Sequence, residues 1–313
     1  GLTQPDRLTG CYARLCSAHY RTSPLDLRRL MDAPGMHIAS AQVAGEMCGV
    51  LWLVEEGGLS DSLAHEVWAG RRRPRGNLVA QSLAAHAGLW QVPTLRARRV
   101  SRIAVASSCR RQGIGRALIA EQRREAQRQA LDYLSVSFGY QPELWAFWQS
   151  CGFQLVRIGS HLEASSGCYS AMAVLPLSDA GHRLAEQGSQ QLARDWHWLQ
   201  RLIPLNLALP QTGNTELDED DWRELAGFAF AHRPMEASFA AICRLLSHTT
   251  LLLPALRLLV EKPGESEQIA TTLGLTGKKA LLRRWREEAA AALVDLDVQR
   301  SERWRRTVVL GDS

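Results

Sequence analysis

Apolar and polar residues recur with different periods along this chain, and these periods predict its secondary structure. Residues 36–58 (MHIASAQVAGEMCGVLWLVEEGG) contain two β-rich runs broken at Ala44-Gly45, which predicts an antiparallel pair of strands. The segment before them has helical spacing and stops at a Pro-Gly pair, so residues 1–35 are predicted to form a helical lead-in. Residues 59–70 return to helical spacing, which predicts a second helix after the strand pair.

The middle of the chain is typical of a strand, a helix and a second strand. RVSRIAVAS (99–107) has the composition of a strand, and GIGRALIAEQRREAQRQA (113–130) has apolar residues at helical spacing. LDYLSVSFG (131–139) then alternates with a period of two. Because a crossover through a helix joins parallel strands, these two strands are predicted to be parallel within one sheet.

QPELWAFWQSCGF (141–153) predicts a short helix with a proline at its start, and the next two β-rich runs predict a strand pair that ends the sheet near Pro176. Beyond this point the composition is helical and no strand pattern recurs. At roughly 150 residues per domain, 313 residues suffice for two domains. We predict an α/β domain over residues 1–181, with a mixed sheet flanked by helices, and an all-helical domain over residues 182–313.

The distribution of charge adds a prediction about partners. The chain has 37 Lys and Arg against 32 Asp and Glu, a formal net charge of +5. The basic residues bunch in five segments, namely GRRRPRGN (70–77), RARRVSR (96–102), CRRQGIGR (109–116), KKALLRRWR (278–286) and RSERWRR (300–306). Any one of these is as easily a solvated helix face, but together they favour a polyanionic partner such as nucleic acid.

The cysteines and the apolar runs bear on the compartment. The seven Cys form no CxxC pair and no Cys/His set with zinc spacing, so neither a disulfide framework nor a metal site is predicted. Free cysteines favour the reducing cytoplasm. No apolar run approaches the length of about 18 residues that a membrane span needs, and no charged-then-apolar leader opens the sequence. A cytoplasmic protein is therefore expected.

SCRRQGIGRALIAEQ (108–122) places two arginines, a glutamine and two glycines at the start of the central helix. The first N–H groups of a helix have no intrahelical acceptor, and the positive end of the helix dipole lies at the same point. Glycine at 113 and 115 lets an anion approach the backbone because no Cβ intervenes. The segment predicts a phosphate-binding turn, although a tight strand-to-helix turn would have a similar composition.

The spacing of this turn distinguishes between phosphate-binding families. It has neither the GxxxxGK[ST] of a P-loop nor the three glycines of the dinucleotide fingerprint. Arg110 to Gly115 fits [RQ]xxGx[GA] between a strand and a helix, and so resembles the coenzyme A pyrophosphate loop of the GCN5-related N-acetyltransferases. FWQSCGF lies where that superfamily has a second signature ending in Gly-Phe. The resemblance implies the acetyltransferase fold and acetyl-CoA as the acetyl donor.

Longer motifs narrow the resemblance. RRPRGNLVAQSLAAH (72–86), LDYLSVSFGYQPELWAFWQSCGF (131–153), HLEASSGCYSAMAVLPLSDAG (161–181) and DDWRELAGFAFAHRP (220–234) are similar to the bacterial tRNA(Met) cytidine acetyltransferases, the TmcA family. This implies an acetyltransferase domain followed by a tail domain that contacts tRNA. The family also has a helicase-like module that uses ATP or GTP, but no Walker A sequence occurs in this chain, so that step is not expected of it.

The resemblance also implies which residues contact acetyl-CoA. They are Ile103, Ala104, Val105, Arg110, Arg111, Gln112, Gly113, Ile114, Gly115, Arg116 and Glu143. A strand that separates from its neighbour can offer backbone groups to the amide-rich pantetheine arm. Two positions depart from the family pattern, because Ser150 stands where an anchoring Arg is expected and Trp148 stands where many of these enzymes have a Tyr that protonates the departing thiolate.

The implied acceptor is the exocyclic N4 amine of cytidine, which is a poor nucleophile because its lone pair is shared with the ring. A base must take a proton as the new bond forms, and backbone N–H groups beside the strand would stabilise the thioester oxygen during a direct transfer. The candidates for the base are His161, Glu163 and Glu143, although a lone loop His is often an ordinary surface residue. Cys151 and Cys168 lack an activating His and are interpreted as structural.

Two basic segments are predicted to hold the RNA backbone through phosphate contacts. The residues concerned are Arg71, Arg72, Arg73, Arg75, Lys278, Lys279, Arg283, Arg284 and Arg286. The target base would be splayed out of the anticodon loop and stacked on an aromatic or guanidinium plane. Trp285 is a candidate for that plane, although burial is the commoner fate of a tryptophan.

These observations predict acetyl transfer from acetyl-CoA to N4 of the wobble cytidine of elongator tRNA(Met). Two alternatives stay open. The acceptor would be a protein or small-molecule amine if the basic segments are incidental. The chain would be a non-catalytic tRNA-binding module if the departures at Trp148 and Ser150 and the missing helicase-like module abolish turnover; a separate chain could supply that module.

Overall fold

The structure is a computed structural model that describes residues 25–33, 35–110, 112–210 and 213–311. Seven strands form one mixed sheet in the order β1-β2-β3-β4-β5-β7-β6. The strands are β1 (Leu25–Ala33), β2 (Met36–Val43), β3 (Glu46–Gly57), β4 (Arg96–Val105), β5 (Tyr133–Gly139), β6 (Gln154–Leu162) and β7 (Tyr169–Pro176). The strands from β1 to β4 are antiparallel neighbours, whereas β4 and β5 are parallel as predicted.

Helices lie between the strands and make up most of the chain after β7. They are α1 (Asp61–Trp68), α2 (Leu78–Ala85), α3 (Ile114–Arg128), α4 (Pro142–Ser150), α5 (Asp179–Leu199), α6 (Glu219–Phe230), α7 (Met235–Leu246), α8 (Pro254–Glu261), α9 (Ser266–Thr272), α10 (Gly277–Leu296) and α11 (Val298–Leu310). In the described residues beyond Pro176 there is no further strand, which confirms the predicted change to helix. Within the described ranges, no helix has the length and apolar character needed to cross a membrane.

The helical lead-in predicted for residues 1–35 is wrong over Leu25–Ala33, where the chain forms β1. This segment pairs with β2 along its whole length, from Leu25 opposite Val43 to Ala33 opposite Met36, with one irregularity after Arg29. Backbone pairing with a neighbouring strand therefore overrides the local helical spacing. Residues 1–24 and 34, which complete the predicted lead-in, lie outside the described residues.

The chain divides into two compact units, and neither is continuous in sequence. Unit 1 contains the residues up to Gly58, Leu95–Leu155 and Ser170–Ala185. Unit 2 contains Leu59–Thr94, Val156–Tyr169 and the residues from Glu186 onward. The division into two contiguous domains at residue 181 stays a prediction. The compact units follow a different division, since α1, α2 and the turn between β6 and β7 belong to the same unit as the helical part of the chain.

The core of unit 1 brings α3 onto the sheet at a glycine of β3. Ile114 and Leu118 of α3 are buried, and a Cβ added to Gly49 would lie 2.9 Å from a methyl carbon of each of them. Such a contact is too short for real side chains, so the absence of a Cβ at Gly49 sets how closely α3 approaches β3. This packing places the start of α3, where the predicted phosphate-binding turn lies, directly on the sheet.

The core of unit 2 is largely apolar and contains a buried ion-pair network around Asp221. Asp221 Oδ2 lies 2.7 Å from Arg194 Nη2, and Asp221 Oδ1 lies 2.9 Å from Arg244 Nη1, with Arg244 fully buried. Burial alone would raise the pKa of Asp221, but its bonds to the two arginines outweigh burial and lower the pKa. Asp221 also completes a capping box with Asp218, which starts α6.

Candidate functional site

The strands β4 and β5 are paired over only part of their length. Their parallel register runs from Ala97 opposite Tyr133 to Val100 opposite Val136, and β4 continues to Val105 beyond this point. On its other side β4 stays paired with β3, but that register shifts between Val100 and Arg102, which leaves Ser101 as an extra residue. A bulge of this kind bends and twists a strand. The bend explains why β4 and β5 are no longer paired beyond Val100 and Val136, and we call the region between their unpaired ends the cleft.

The predicted strand contacts lie along this open edge. Ile103 and Ala104 pair with β3 opposite Leu51 and Val50, and Val105 is the last residue of β4. All three side chains of the predicted triplet are half-buried rather than part of the closed core. Backbone groups on the β5 side of this segment are therefore the polar groups that a ligand in the cleft would meet.

The predicted phosphate-binding turn leads from β4 into α3. Gly113 is the residue before the helix and has φ 75°, a left-handed conformation that favours glycine. Among the described residues, no side chain caps the start of α3, so its first N–H groups are available to an anion. A Cβ added to Gly113 would have no atom of the described residues within 4 Å, so they leave open space beside the turn. The side chains of Arg110, Gln112 and Arg116 are exposed, and Arg111 lies outside the described residues.

The turn, the strand and the next helix converge at Gly115. A Cβ added to this residue would lie 3.2 Å from Phe147 Cζ of α4 and 3.6 Å from Ile103 Cδ1 of β4. Glu143 is exposed in the first turn of α4. The structure thus brings together segments of β4, α3 and α4 from which the acetyl-CoA contacts were predicted, and those contacts stay predictions.

The two departures from the family pattern have clear structural roles. Trp148 is 3% exposed and packs against Phe147 and Phe153 at centroid distances of 5.0 and 5.2 Å. Its indole N–H has no acceptor among the described residues. Ser150 Oγ donates to the carbonyl oxygen of Phe147 at 2.6 Å. Position 148 therefore provides packing, and position 150 provides no cation.

The other candidates for the base lie in unit 2. The His161 side chain is 86% exposed at the end of β6, and its Nε2 is 3.9 Å from Glu236 Oε1. Glu163 follows in the turn between β6 and β7 and accepts a hydrogen bond from Ser166 Oγ at 3.0 Å. Their roles as base stay predictions. Glu143 belongs to unit 1, and its role as the base likewise stays a prediction.

The described cysteines are free thiols. Burial raises the pKa of Cys151, and burial together with a hydrogen bond to Cys109 raises the pKa of Cys48 to about 12. Cys168 Sγ donates to the carbonyl oxygen of Ser166 at 3.5 Å. Because a thiolate is the reactive form, these environments agree with the structural interpretation of Cys151 and offer no activated acyl carrier.

The residues predicted to contact RNA differ in their exposure and in the hydrogen bonds and ion pairs that they form within unit 2. Arg72, Arg73, Arg75, Lys278, Lys279 and Arg283 are exposed, and Arg284 is half-buried. Arg71 forms a two-point ion pair with Glu66 and donates to the carbonyl oxygen of Val308. Arg286 donates to the carbonyl oxygens of Phe228 and Ala231, and burial lowers its pKa. Contacts of Arg71 and Arg286 with RNA stay predictions.

Trp285 does not provide an exposed stacking surface. The residue is 4% exposed, and its indole N–H donates to the carbonyl oxygen of Ala255 at 3.0 Å. The alternative interpretation, a buried tryptophan, is therefore confirmed. An aromatic residue at helical spacing inside a basic segment marks the buried side of α10, while its neighbours Lys278 and Arg283 mark the exposed side.

Sequence reasoning missed two contributors to the cleft. Ser101 is the bulge residue, and its hydroxyl donates to the carbonyl oxygen of Trp52 at 3.2 Å. Phe147 was recognised only as an apolar residue of α4, but its ring lies against Gly115. The polar break in RARRVSRIAV was the available signal for the bulge, whereas nothing local indicated the partner of Phe147.

Comparison with known proteins identifies the family. Residues 11–122 and 117–178 match the family described as "GNAT acetyltransferase 2", and residues 181–299 match a family described as "tRNA-binding domain". The tRNA(Met) cytidine acetyltransferase TmcA of Pectobacterium atrosepticum is 82% identical over 100% of this chain and 46% of its own length. TmcA of Yersinia pestis is 59% identical over 95% of this chain and 43% of its own length. This chain thus spans about half the length of these relatives.

Solved structures are also similar. The ribosomal-protein-S18-alanine N-acetyltransferase from Escherichia coli aligns with 14% identity and a TM-score of 0.34, covering 56% of this chain and 91% of that chain. A TM-score of this size carries no argument about function. The family match extends over more than half of the chain and agrees with the mixed sheet flanked by helices. The predicted fold class and the resemblance to the TmcA proteins are confirmed, and the chain belongs to the GNAT acetyltransferase 2 family.

Proposed function

We propose that this chain transfers the acetyl group of acetyl-CoA to N4 of the wobble cytidine of elongator tRNA(Met), forming N4-acetylcytidine. The observation that carries the proposal is the uncapped start of α3 at Gly113, which opens beside the separated strands β4 and β5. The high identity to the TmcA proteins supports the choice of acceptor. The match to a tRNA-binding domain supports RNA as the partner.

In this proposal each segment around the cleft has a physical task. N–H groups at the start of α3 and the exposed guanidinium groups of Arg110 and Arg116 bind the diphosphate of the coenzyme. Backbone groups from Ile103 to Val105 bind the pantetheine amides and orient the thioester. A charge-assisted contact contributes about 1.5–3 kcal/mol, more than the roughly 0.3–1 kcal/mol of a helix dipole, so direct contacts dominate the affinity.

Acetyl-CoA supplies an activated acetyl thioester to this cleft. The new bond forms between N4 and the acetyl carbon while the bond from that carbon to sulfur breaks, and a base receives the N4 proton. Since Trp148 is buried and an indole N–H is a poor acid, we assign no protein side chain to protonating the thiolate. Water in the cleft would protonate the thiolate instead.

Acetyl transfer tests the proposal directly. The chain is incubated with labelled acetyl-CoA and either an unmodified tRNA(Met) transcript or a polyamine, and the label on each acceptor is counted. Label on the tRNA that maps to the wobble cytidine is the expected result. Label on the polyamine alone would favour a small-molecule acetyltransferase. tRNA binding without label on either acceptor would favour a non-catalytic module, which the burial of Trp148 and the neutral Ser150 also permit.

The base can be identified by comparing single substitutions. If His161 accepts the proton, His161→Ala lowers kcat by about 10²-fold or more, with acetyl-CoA affinity unchanged because His161 is not among the residues proposed to bind the coenzyme. Glu163→Gln and Glu143→Gln are the competing tests, and His182→Ala is the matched control because His182 is an exposed histidine of unit 1. A kcat for His161→Ala equal to that of the control removes His161 from the reaction.

The basic start of α10 is predicted to contact RNA phosphates. Replacing Lys278, Lys279, Arg283 and Arg284 by alanine is expected to lower the slope of log K against log salt by about one for each phosphate that is no longer neutralised. The measurement is tRNA binding over a salt series, with acetyl-CoA affinity as the control for folding. An unaltered slope in the folded variant would exclude this segment from the RNA interface.

A further inference from the structure

The arginine-rich loop between α1 and α2 is held in one conformation by contacts that do not use its outer arginines. Gly70 has φ 84°, and a Cβ added there would lie 2.3 Å from the carbonyl oxygen of His232, so only glycine fits. The N–H of His232 donates to the carbonyl oxygen of Ala69 at 2.9 Å. Gln81 Nε2 donates to the carbonyl oxygens of Gly76, at 2.7 Å, and Pro74. The loop backbone is therefore preorganised.

Arg71 connects this loop to the C-terminal end of α11. Its Nε and Nη2 donate to the two carboxylate oxygens of Glu66 at 2.7 and 3.0 Å, and its Nη1 donates to the carbonyl oxygen of Val308 at 3.1 Å. His65 Nε2 lies 3.2 Å from the same carbonyl oxygen. Residues 237 positions apart in sequence are thereby joined. The ion pair also neutralises Glu66, the carboxylate closest to the loop along the chain.

This junction places the C-terminal end of α11, which carries further arginines, beside Arg71 of the loop. Val308 is buried, whereas Arg303 and Arg306 of α11 are exposed. At about 1.5 Å per residue, Arg306 and Arg303 lie about 3 and 7.5 Å before Val308 along the helix axis. Together with the exposed Arg72, Arg73 and Arg75 of the loop, they form a set of five arginines that we name the arginine surface.

Few carboxylates oppose the arginine surface. Glu302 of α11 accepts from Arg305 at 2.7 Å and from Arg306 at 3.3 Å, and these bonds lower its pKa to about 2, so it is ionised at neutral pH. Glu219 and Asp220 of α6, the helix packed against α11, pair with Arg300 and Arg223. The excess of positive charge therefore remains at the loop and on the outer side of α11.

We infer that the arginine surface binds the phosphate backbone of RNA as one continuous site, with Arg303 and Arg306 of α11 contributing as much as the loop. Exposed guanidinium groups on a preorganised loop suit phosphates because each presents two donors in a plane and the loop backbone loses little conformational freedom on binding. The inference rests on the proposed function and adds α11 to the RNA interface. RNA is favoured over an anionic membrane because residues 181–299, which lead into α11, match a family described as a tRNA-binding domain.

The test compares three matched variants of the 313-residue chain. The first carries Arg303→Ala and Arg306→Ala, the second carries Arg72→Ala, Arg73→Ala and Arg75→Ala, and the control carries Arg124→Ala and Arg128→Ala. Arg124 and Arg128 are exposed in unit 1 and paired with glutamates of their own helix, so the control removes two charges far along the sequence from the arginine surface. A tRNA(Met) transcript is titrated over a salt series, and acetyl-CoA affinity is measured for each variant.

The first variant is expected to bind tRNA about tenfold or more weakly at ~100 mM salt, with a slope lower by about two, and the control is expected to match the unmodified chain. Glu302→Gln should tighten tRNA binding by about two- to fivefold, the size of one exposed charge interaction. A variant that carries both sets of substitutions should lower the salt slope of tRNA binding by the sum of the two separate reductions. The stoichiometry should stay at one tRNA per chain.

Several results would overturn the inference. An unchanged slope in the first variant, when the second variant shows a reduced slope, would leave the loop as the RNA-binding segment and remove α11. Weaker binding of both basic variants to vesicles containing anionic phospholipid, with tRNA binding unaffected, would assign the surface to membranes. If the unmodified chain binds no tRNA but still binds acetyl-CoA, both the inference and the proposed RNA substrate fail, while the coenzyme site stands.

Discussion

Acetyl-CoA binding is expected to fall by about 10²- to 10⁴-fold when Gly113 and Gly115 are both replaced by valine, because two charge-assisted hydrogen bonds of about 1.5–3 kcal/mol each would no longer form. The reason lies in two different features of the turn. At Gly113 the space beside the backbone is open, so a new side chain occupies the volume through which a diphosphate would reach the N–H groups. At Gly115 a Cβ would lie 3.2 Å from Phe147 Cζ, so a valine there crowds the ring, and either the ring or the start of α3 must shift.

Isothermal titration with acetyl-CoA measures this effect. The single variant Gly113→Ala shows how much of the loss of affinity comes from the backbone conformation and how much from the size of the side chain. The φ of 75° at this position costs an L-residue about 1–2 kcal/mol even where space is available. Binding of tRNA serves as the control, since the basic segments proposed to contact it in unit 2 are unchanged. Full acetyl-CoA affinity in a folded double variant would show that the diphosphate is bound elsewhere.

Arg233→Ala is expected to produce the largest loss of stability, about 3–5 kcal/mol for unit 2. Arg233 is fully buried, forms a two-point ion pair with Glu224 and donates to the carbonyl oxygens of Trp68 and Ala84. Its guanidinium carbon lies 4.8 Å from the centre of the Trp68 ring. Truncation leaves a buried carboxylate and two carbonyl oxygens without a donor, together with a cavity, and each of these effects destabilises the fold.

Urea unfolding followed by tryptophan fluorescence measures this loss as a change in midpoint. Arg124→Ala is the control, because its exposed ion pair with Glu121 contributes about 0–1 kcal/mol. Combining Arg233→Met with Glu224→Leu is expected to recover part of the loss, since no unpaired charge remains buried. A loss below about 1 kcal/mol for Arg233→Ala would mean that water replaces the guanidinium in its bonds.

Gly227 has a related role that the sequence pattern did not indicate. A Cβ added there would lie 2.3 Å from Arg233 Cδ and 2.8 Å from Trp68 Cη2. The motif DDWRELAGFAFAHRP therefore contains both the buried arginine and the glycine that makes space for it. This pairing gives a structural reason for a motif that the sequence analysis could use only as a family resemblance.

Local pattern was informative where an element is stabilised mainly by its own residues. The alternation of residues 131–139 predicted β5, the spacing of residues 113–130 predicted α3, and Pro142 marked the start of α4. The phosphate-binding turn was predictable for the same reason, because its glycines and the free N–H groups of a helix start are adjacent in sequence. Local pattern failed at Leu25–Ala33, where pairing with β2 determines a strand.

By itself, the amino-acid sequence determined the order of strands and helices around the turn, the family, and the segments that carry positive charge. Only the tertiary structure decided that Ser101 bends β4 away from β5, that Phe147 lies against Gly115, and that Arg71 joins its loop to Val308 of α11. The physical reason is that these contacts depend on hydrogen bonds and packing between residues distant in sequence, which leave no period in the local pattern. Folding thereby forms the cleft and the arginine surface from segments that are separate along the chain.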